Sequence, residues 1–286
     1  MNRLYRYARH NRVARLLVGT LVIFFLYQGV TGEQQGTLEQ PQRWIPTAHA
    51  KLIVSQLTEQ PTDKLIKLAR TDHIALLKWA LDNYQDRIQD YRLTFLKQER
   101  INGKLKRTEK IAVKFKQAPY SVLMEWQKNP GAIDKLLYVE GANDEKMVVH
   151  PTGLWSFIKS VKRDPRGAEV RRSSRGTCDQ FGFYRTMKNL LAMYELAQEQ
   201  GDLQIRYLGE TEVHGRPCVA MERLLPPKEQ YPYGRLVMEF DKEYLLPIAI
   251  TCYDWQDKLL SQYKFTQVRF NTGLTTAAFT PSANKL

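Results

Sequence analysis

Cysteine and histidine are the side chains of this 286-residue chain best suited to metal, redox or acid–base chemistry, and their spacing argues against all three. Cys178, Cys218 and Cys252 form no Cys-x-x-Cys pair, and His49, His73, His150 and His214 stand too far apart for a local ligand set. A Gly-x-Ser-x-Gly elbow, a His-Glu-x-x-His helix and a phosphate-cradling Gly-rich loop are all missing from the sequence. The chain is therefore expected to be no enzyme and to use no cofactor or metal. His73 falls in a helical stretch and His214 in a turn, so a solvated helix residue and a hairpin residue are expected. Three cysteines in an oxidising compartment allow one intramolecular disulfide at most. Cys218 and Cys252, both in strand-like stretches, are the expected pair, with Cys178 left as a free thiol.

The remaining chemistry is that of apolar surface, so the elements that present it come next. From Tyr91 to Phe115 apolar residues fall on alternate positions at both ends of the stretch, with Asn102-Gly103, a favoured two-residue hairpin turn, in between. Tyr120, Val122, Met124 and Trp126 continue the alternation, and strands are expected at 136–139 and 146–149, turning at Asn143-Asp144. This predicts an antiparallel meander with one apolar face and one wet face carrying Arg92, Lys110, Lys114 and Lys116. Leu93, Phe95, Val113, Phe115, Met124 and Trp126 are the candidate ligand-binding residues on the apolar side. Ahead of the sheet, Leu65, Ile66 and Leu68 mark a first helix capped by Thr62 or Asp63. Ile74, Leu77, Ala80 and Leu81 mark a second, capped by Thr71 or Asp72. A further helix at about 182–200 places Phe183, Met187, Leu190, Leu191 and Tyr194 on one face. Strands resume at Leu203, turn at His214-Gly215 and run on to Phe270. The fold class is α+β, with helices on one side of a largely antiparallel sheet.

Charge divides the chain further. Arg3, Arg6, Arg9, Arg12 and Arg15 precede an apolar run, Leu16 to Tyr27, that is too short to span a bilayer comfortably. Residues 1–32 are expected to be a signal peptide, cleaved on export to the periplasm or cell envelope; an uncleaved inner-membrane anchor is the alternative. Residues 33–60 read as a polar lead-in and 61–286 as one domain. Beyond residue 32 the formal net charge falls from +13 to +8. With no helix-turn-helix, finger or RNP-type pattern, nucleic acid is excluded as the expected partner. The segment 159–175 holds seven basic against two acidic residues. It is expected to be a mobile loop that docks on an anionic membrane or an acidic partner through Lys162, Arg163, Arg166, Arg171, Arg172 and Arg175.

Two parts of the sequence resemble known families. Tyr244 to Pro281, "YLLPIAITCYDWQDKLLSQYKFTQVRFNTGLTTAAFTP", resembles the closing strands of the periplasmic lipoprotein carriers LolA and LolB, through Leu246, Pro247, Asp254, Phe265, Val268, Asn271, Phe279, Thr280 and Pro281. "DYRLTFLKQERINGKL" and "LYVEGANDEKMVVHP" are similar to segments of a related uncharacterised bacterial family of unknown function. The resemblance implies a strongly curved antiparallel sheet, an incomplete β-barrel, with helices covering its concave face. It also implies a lipid or a lipidated protein as partner. Two functions follow: a carrier or sensor that shelters an acyl chain in the half-barrel, or an envelope docking protein whose half-barrel is filled by its own core.

Overall fold

The computed structural model describes residues 60–286. The expected signal segment, the lead-in up to residue 59 and His49 lie outside the described residues. Helix α1 (Pro61–Thr71) starts on a proline, whose missing N–H costs nothing in the first turn. Pro61 already has the helical φ, so Gln60 is the N-cap and Thr62 and Asp63 lie inside the helix, which corrects the expected cap. Asp72 ends α1 and begins α2 (His73–Arg87), its carboxylate accepting the Ala75 N–H at 2.9 Å.

A meander of six strands follows with a two-residue appendage: β1 (Asp90–Ile101), β2 (Lys104–Leu105), β3 (Glu109–Lys116), β4 (Ser121–Lys128), β5 (Ile133–Val139), β6 (Met147–Pro151) and β7 (Val161–Arg163). The Asn102-Gly103 turn between β1 and β2 has φ of 49° and 76°, the left-handed pair that a tight hairpin turn requires. The chain then passes through α3 (Ala168–Ser173) and α4 (Phe183–Glu199). A second meander closes the sequence: β8 (Gln204–Val213), β9 (Arg216–Leu224), β10 (Arg235–Asp241), β11 (Pro247–Tyr253) and β12 (Leu259–Phe270).

All the strands join one sheet in the order β7-β6-β5-β4-β3-β1-β12-β11-β10-β9-β8, with β2 paired to β1. The first meander thus starts in the middle of the sheet and runs out to one edge. The second starts at the other edge and runs back to the middle, where β12 pairs antiparallel with β1. The sheet is curved and not closed, the incomplete barrel of an α+β fold. To go from β7 to β8 the chain must cross the whole sheet, and α4 lies in that crossing. The helix covers the inner face because the topology leaves the chain no shorter route.

The main core lies between the inner face and the helices. Helix α2 contributes Ile74, Leu77, Ala80 and Tyr84, and α4 contributes Phe183, Met187, Leu190 and Tyr194, all buried. Leu81 and Leu191 are only partly buried, at the margin of these faces. On the outer face Arg92 and Lys110 are exposed, as expected of a wet side. That side is not wet throughout: Leu123, Leu137 and Val148 on β4–β6 are buried beneath Leu274, Phe279 and Leu286 of the C-terminal segment. Phe279, one of the residues carrying the resemblance, is thus a cover for the outer face. Asn271 is another structural piece, accepting from Gln89 N at 2.9 Å and donating to Arg87 O at 2.7 Å, which ties the α2–β1 junction to the end of β12.

Two expectations are corrected. The segment 159–175 is not irregular throughout; it forms β7 and α3 and makes specific ion pairs and hydrogen bonds. Cys218 and Cys252 are not bonded, and Cys178, Cys218 and Cys252 are all free thiols. Arg223 stands in register with Leu236, and Leu236 with Cys252, so Arg223 and Cys252 share a face, whereas Cys218 lies five residues from Arg223 on the same strand and faces the other way.

Candidate binding site

The alternation in the sequence requires that Leu93, Phe95, Val113, Phe115, Met124 and Trp126 share a face if the strands pair in simple register, and they do. Leu93 lies opposite Val113, Val113 opposite Met124, and Ile111 stands between Phe95 and Trp126. Five of the six are buried and Trp126 is partly buried, all in the main core. Tyr91 stacks on Phe115 with centroids 4.5 Å apart, and Phe95 stacks on Phe265 at 5.2 Å. From above, Phe183 of α4 meets Phe265 at 4.9 Å and Phe181 meets Phe95 at 5.3 Å. Side chains of the crossing segment therefore occupy the inner face.

The approach to α4 is fixed by one side chain. The Tyr120 hydroxyl donates toward the carbonyls of Cys178, at 2.6 Å, and Phe181, at 2.9 Å. Arg185 in the first turn lies 3.7 Å over the Tyr120 ring and pairs with Glu140 at 3.0 Å. Gly182, at φ 104°, lets the chain pass close to the sheet, because a Cβ there would meet the Tyr91 hydroxyl at 2.7 Å. Farther along α4, Glu195 pairs with Lys78 of α2 at 2.8 Å.

Beneath this cover lie polar atoms without partners. The hydroxyls of Tyr84 and Tyr194 and the Nδ1 of His73 are buried and make no hydrogen bond, and the buried guanidinium of Arg223 has no partner but the neighbouring Tyr233 hydroxyl. Arg223 is 0% exposed, and no carboxylate stands within ion-pair distance of it among the described residues. Its guanidinium lies between the rings of Tyr194 on α4 and Tyr233, 5.0 Å from each. Burial pushes the Tyr233 hydroxyl up to about 12, with the nearby Cys252 adding to the rise and the Arg223 charge opposing it. The Cys252 thiol is likewise raised by burial. His73 is buried, not solvated as expected; burial holds its imidazole below its ordinary value, opposed by a hydrogen bond to Ala69 O and by Asp72. His214 is exposed in its turn.

Arg223 is the residue the sequence reading missed. Its signal was parity, because Val219, Met221 and Arg223 alternate on β9 and the first two belong to the core. An arginine continuing an apolar series is either paired or unusual, and only the structure distinguishes these.

The basic residues of 159–175 divide between paired and unpaired ones. Lys162 pairs with Asp144 at 2.8 Å, Arg163 with Glu169 at 3.3 Å and Arg166 with Asp179 at 2.6 Å. Burial pushes the Asp179 carboxyl up, but hydrogen bonds from Thr177 and Arg166 outweigh it and hold it below its ordinary value. Arg175 bonds Arg100 O at 3.1 Å through its side chain and Glu99 at 3.2 Å through its N–H. Arg171 and Arg172 are exposed and have no ion-pair partner among the described residues. Next to this segment, Leu154, Trp155 and Phe157 are 91%, 63% and 78% exposed, an apolar tip that the sequence reading also missed. Among the described residues no group of three or more His, Cys, Asp or Glu is placed to hold a metal, and no helix is long and apolar enough to cross a membrane.

An open antiparallel sheet with a helical cover and an apolar inner face defines a half-barrel of the α+β class. The model of a family described as a protein of unknown function, DUF1571, matches residues 88–285, and the chain belongs to that family. No curated protein matches the sequence. Among solved structures it is similar to a DUF1329 family protein from Desulfovibrio piger, with 17% identity over 79% of this chain and 99% of that one, at a TM-score of 0.36. It is similar to the MucA/MucB complex of Pseudomonas aeruginosa, with 18% identity over 73% of this chain and 61% of that one, at 0.41. A LolA superfamily protein from Nitrosomonas europaea is similar over 72% of this chain and 98% of its own, with 7% identity and a TM-score of 0.33.

Proposed function

We propose that this is an exported, non-catalytic envelope protein whose inner sheet face shelters an acyl chain, from a lipid or a lipidated protein, when the crossing segment lifts. The observation that carries this reading is the mismatch between cover and sheet. A permanent core of this size would bury its polar atoms in pairs, and an orphaned one costs about 1–3 kcal/mol. Here several orphans lie beneath the cover: the Tyr84 hydroxyl and His73 Nδ1 on α2 and the Tyr194 hydroxyl on α4. A cover closed at that cost opens more readily than an apolar one. Each methylene buried in its place contributes about 0.8 kcal/mol, so part of one chain offsets the opening. Leu93, Phe95, Val113, Phe115, Met124 and Trp126 line the proposed seat.

Solvent extraction and mass analysis of purified protein test the proposal directly, with a fluorescent fatty acid as probe for the stripped form. Lipid is expected in the extract, and Met124→Trp, which adds bulk inside the half-barrel, is expected to weaken probe uptake while leaving the circular dichroism spectrum unchanged. A folded wild type that yields no lipid and takes up no probe would overturn it.

A second reading is docking, and the exposed Leu154, Trp155 and Phe157 favour it. These side chains precede Lys159 in the chain, and apolar residues beside a basic one are the combination that inserts at an anionic membrane surface. Each basic residue near such a surface contributes about 1 kcal/mol. Replacing the three apolar residues with serine is expected to reduce co-sedimentation with phosphatidylglycerol vesicles several-fold; unchanged binding would remove this reading. The Lys162, Arg163 and Arg166 charges are engaged within the protein and are expected to contribute less.

A further inference from the structure

The proposed chain-binding reading does not say what head the chain carries, and Arg223 supplies that. Its guanidinium is fully buried on the inner face, and its five N–H donors meet no carboxylate and no acceptor beyond the neighbouring Tyr233 hydroxyl. The rings of Tyr194 and Tyr233 lie 5.0 Å from it, which shields the charge but supplies no anion to its in-plane donors. The Tyr194 hydroxyl is also without a partner, and the His73 ring lies 5.9 Å from the Tyr194 ring. Leu236, Cys252, Ser261 and the buried Glu99 continue the row from Arg223 across the inner face, the face that also carries Phe95 and Phe265 four residues along the strands. Phe183 and Tyr194 mark the two ends of this floor on α4. Eleven residues of helix separate them, about 16 Å at the α-helical rise, comparable to an extended long acyl chain.

We infer that Arg223, with Tyr194 and Tyr233, is the seat for the anionic head of a single-chain amphiphile, a carboxylate or phosphate monoester, whose tail lies along the inner face toward Phe95 and Phe183. The planar fork of the guanidinium fits two oxygens of such a head, and the tyrosine hydroxyls complete its shell. A neutral lipid would leave the charge as unmatched as it is now. This inference rests on the chain-binding reading, and its test separates the two.

The test compares hexadecanoate with hexadecanol, by calorimetry and by shift of the melting midpoint, on wild type, Arg223→Met and Arg223→Lys. Wild type is expected to bind hexadecanoate roughly 10- to 100-fold more tightly than the alcohol, the span of a charge-assisted hydrogen-bonded pair. Arg223→Met is expected to bind both alike, at the strength of the alcohol, and Arg223→Lys to keep part of the preference. In the absence of ligand Arg223→Met should melt at or above the wild-type midpoint, because it removes an unmatched charge. Equal binding of acid and alcohol by wild type would overturn the anionic seat while leaving chain binding intact; this arm needs no variant to fold. Binding of neither by stripped wild type would overturn chain binding and the seat with it. If inorganic phosphate alone raised the midpoint as far as hexadecanoate does, the seat would belong to a free anion and the amphiphile would be overturned.

Discussion

His73 shows at the scale of one side chain how burial converts into a measurable pH dependence. Its Nε2 lies 2.9 Å from Ala69 O, so the neutral ring donates there and leaves Nδ1 unprotonated among apolar neighbours. Folded protein holds the imidazole below the ordinary value of 6.5, whereas unfolded chain titrates near it. Between the depressed folded value and 6.5 the unfolded state binds more protons, so stability rises with pH through that window and is fully present above it. The melting midpoint is therefore expected to fall on acidification from about pH 7.5 to about pH 5.5, with a shallower slope in His73→Leu. A slope identical in both proteins would exclude His73 as the source. Reading the sequence placed this histidine correctly on a helix but put it in solvent. The helix periodicity was clear; which neighbour α2 would meet on that side depends on α4, which lies a hundred residues away.

At the scale of elements, the hairpins were legible because their causes are local. Asn102-Gly103 and His214-Gly215 adopt the positive φ angles that set two-residue turns, and alternation on either side does the rest. The segment 159–175 was misread for the opposite reason. Its charge favours disorder in isolation, but Glu99, some 75 residues away, accepts from Ser174 and from the Arg175 N–H, while Asp179 holds Arg166. Such partners leave no mark in a local window. The latch on the crossing segment has the same character. Tyr120 belongs to a strand-like stretch, and nothing nearby shows that its hydroxyl will bind the carbonyls of Cys178 and Phe181. Tyr120→Phe keeps the ring under Arg185 and removes only those bonds. It is expected to cost about 1–2 kcal/mol in chemical denaturation and to speed fatty-acid uptake, since the cover loses a tie to the sheet. A loss of stability with no change in uptake rate would mean that the tie does not gate the inner face.

At the scale of the whole molecule, the sequence revealed the strands but not the seam that joins them. The two meanders meet only where β1 pairs with β12, residues some 170 positions apart, and no alternation pattern specifies that pairing. The family resemblance suggested an open barrel, and the sheet order explains why it must be covered. Helix α4, in the crossing from β7 to β8, makes its backbone hydrogen bonds within itself and meets the strands through side chains such as Phe183. It should therefore be the first large unit to open. Native-state hydrogen exchange tests this. Amides of α4 are expected to exchange through an opening smaller than global unfolding, while those of β1, β3 and β12 wait for global unfolding. Added hexadecanoate should slow α4 selectively if the chain and its head bind beneath it, because ligand that binds only the refilled face stabilises the cover over it. If α4 and the central strands exchange together, with and without hexadecanoate, cover and sheet form one inseparable core. The inner face would then never be available, and the exposed tip at Leu154, Trp155 and Phe157 would be the surface on which function has to be sought.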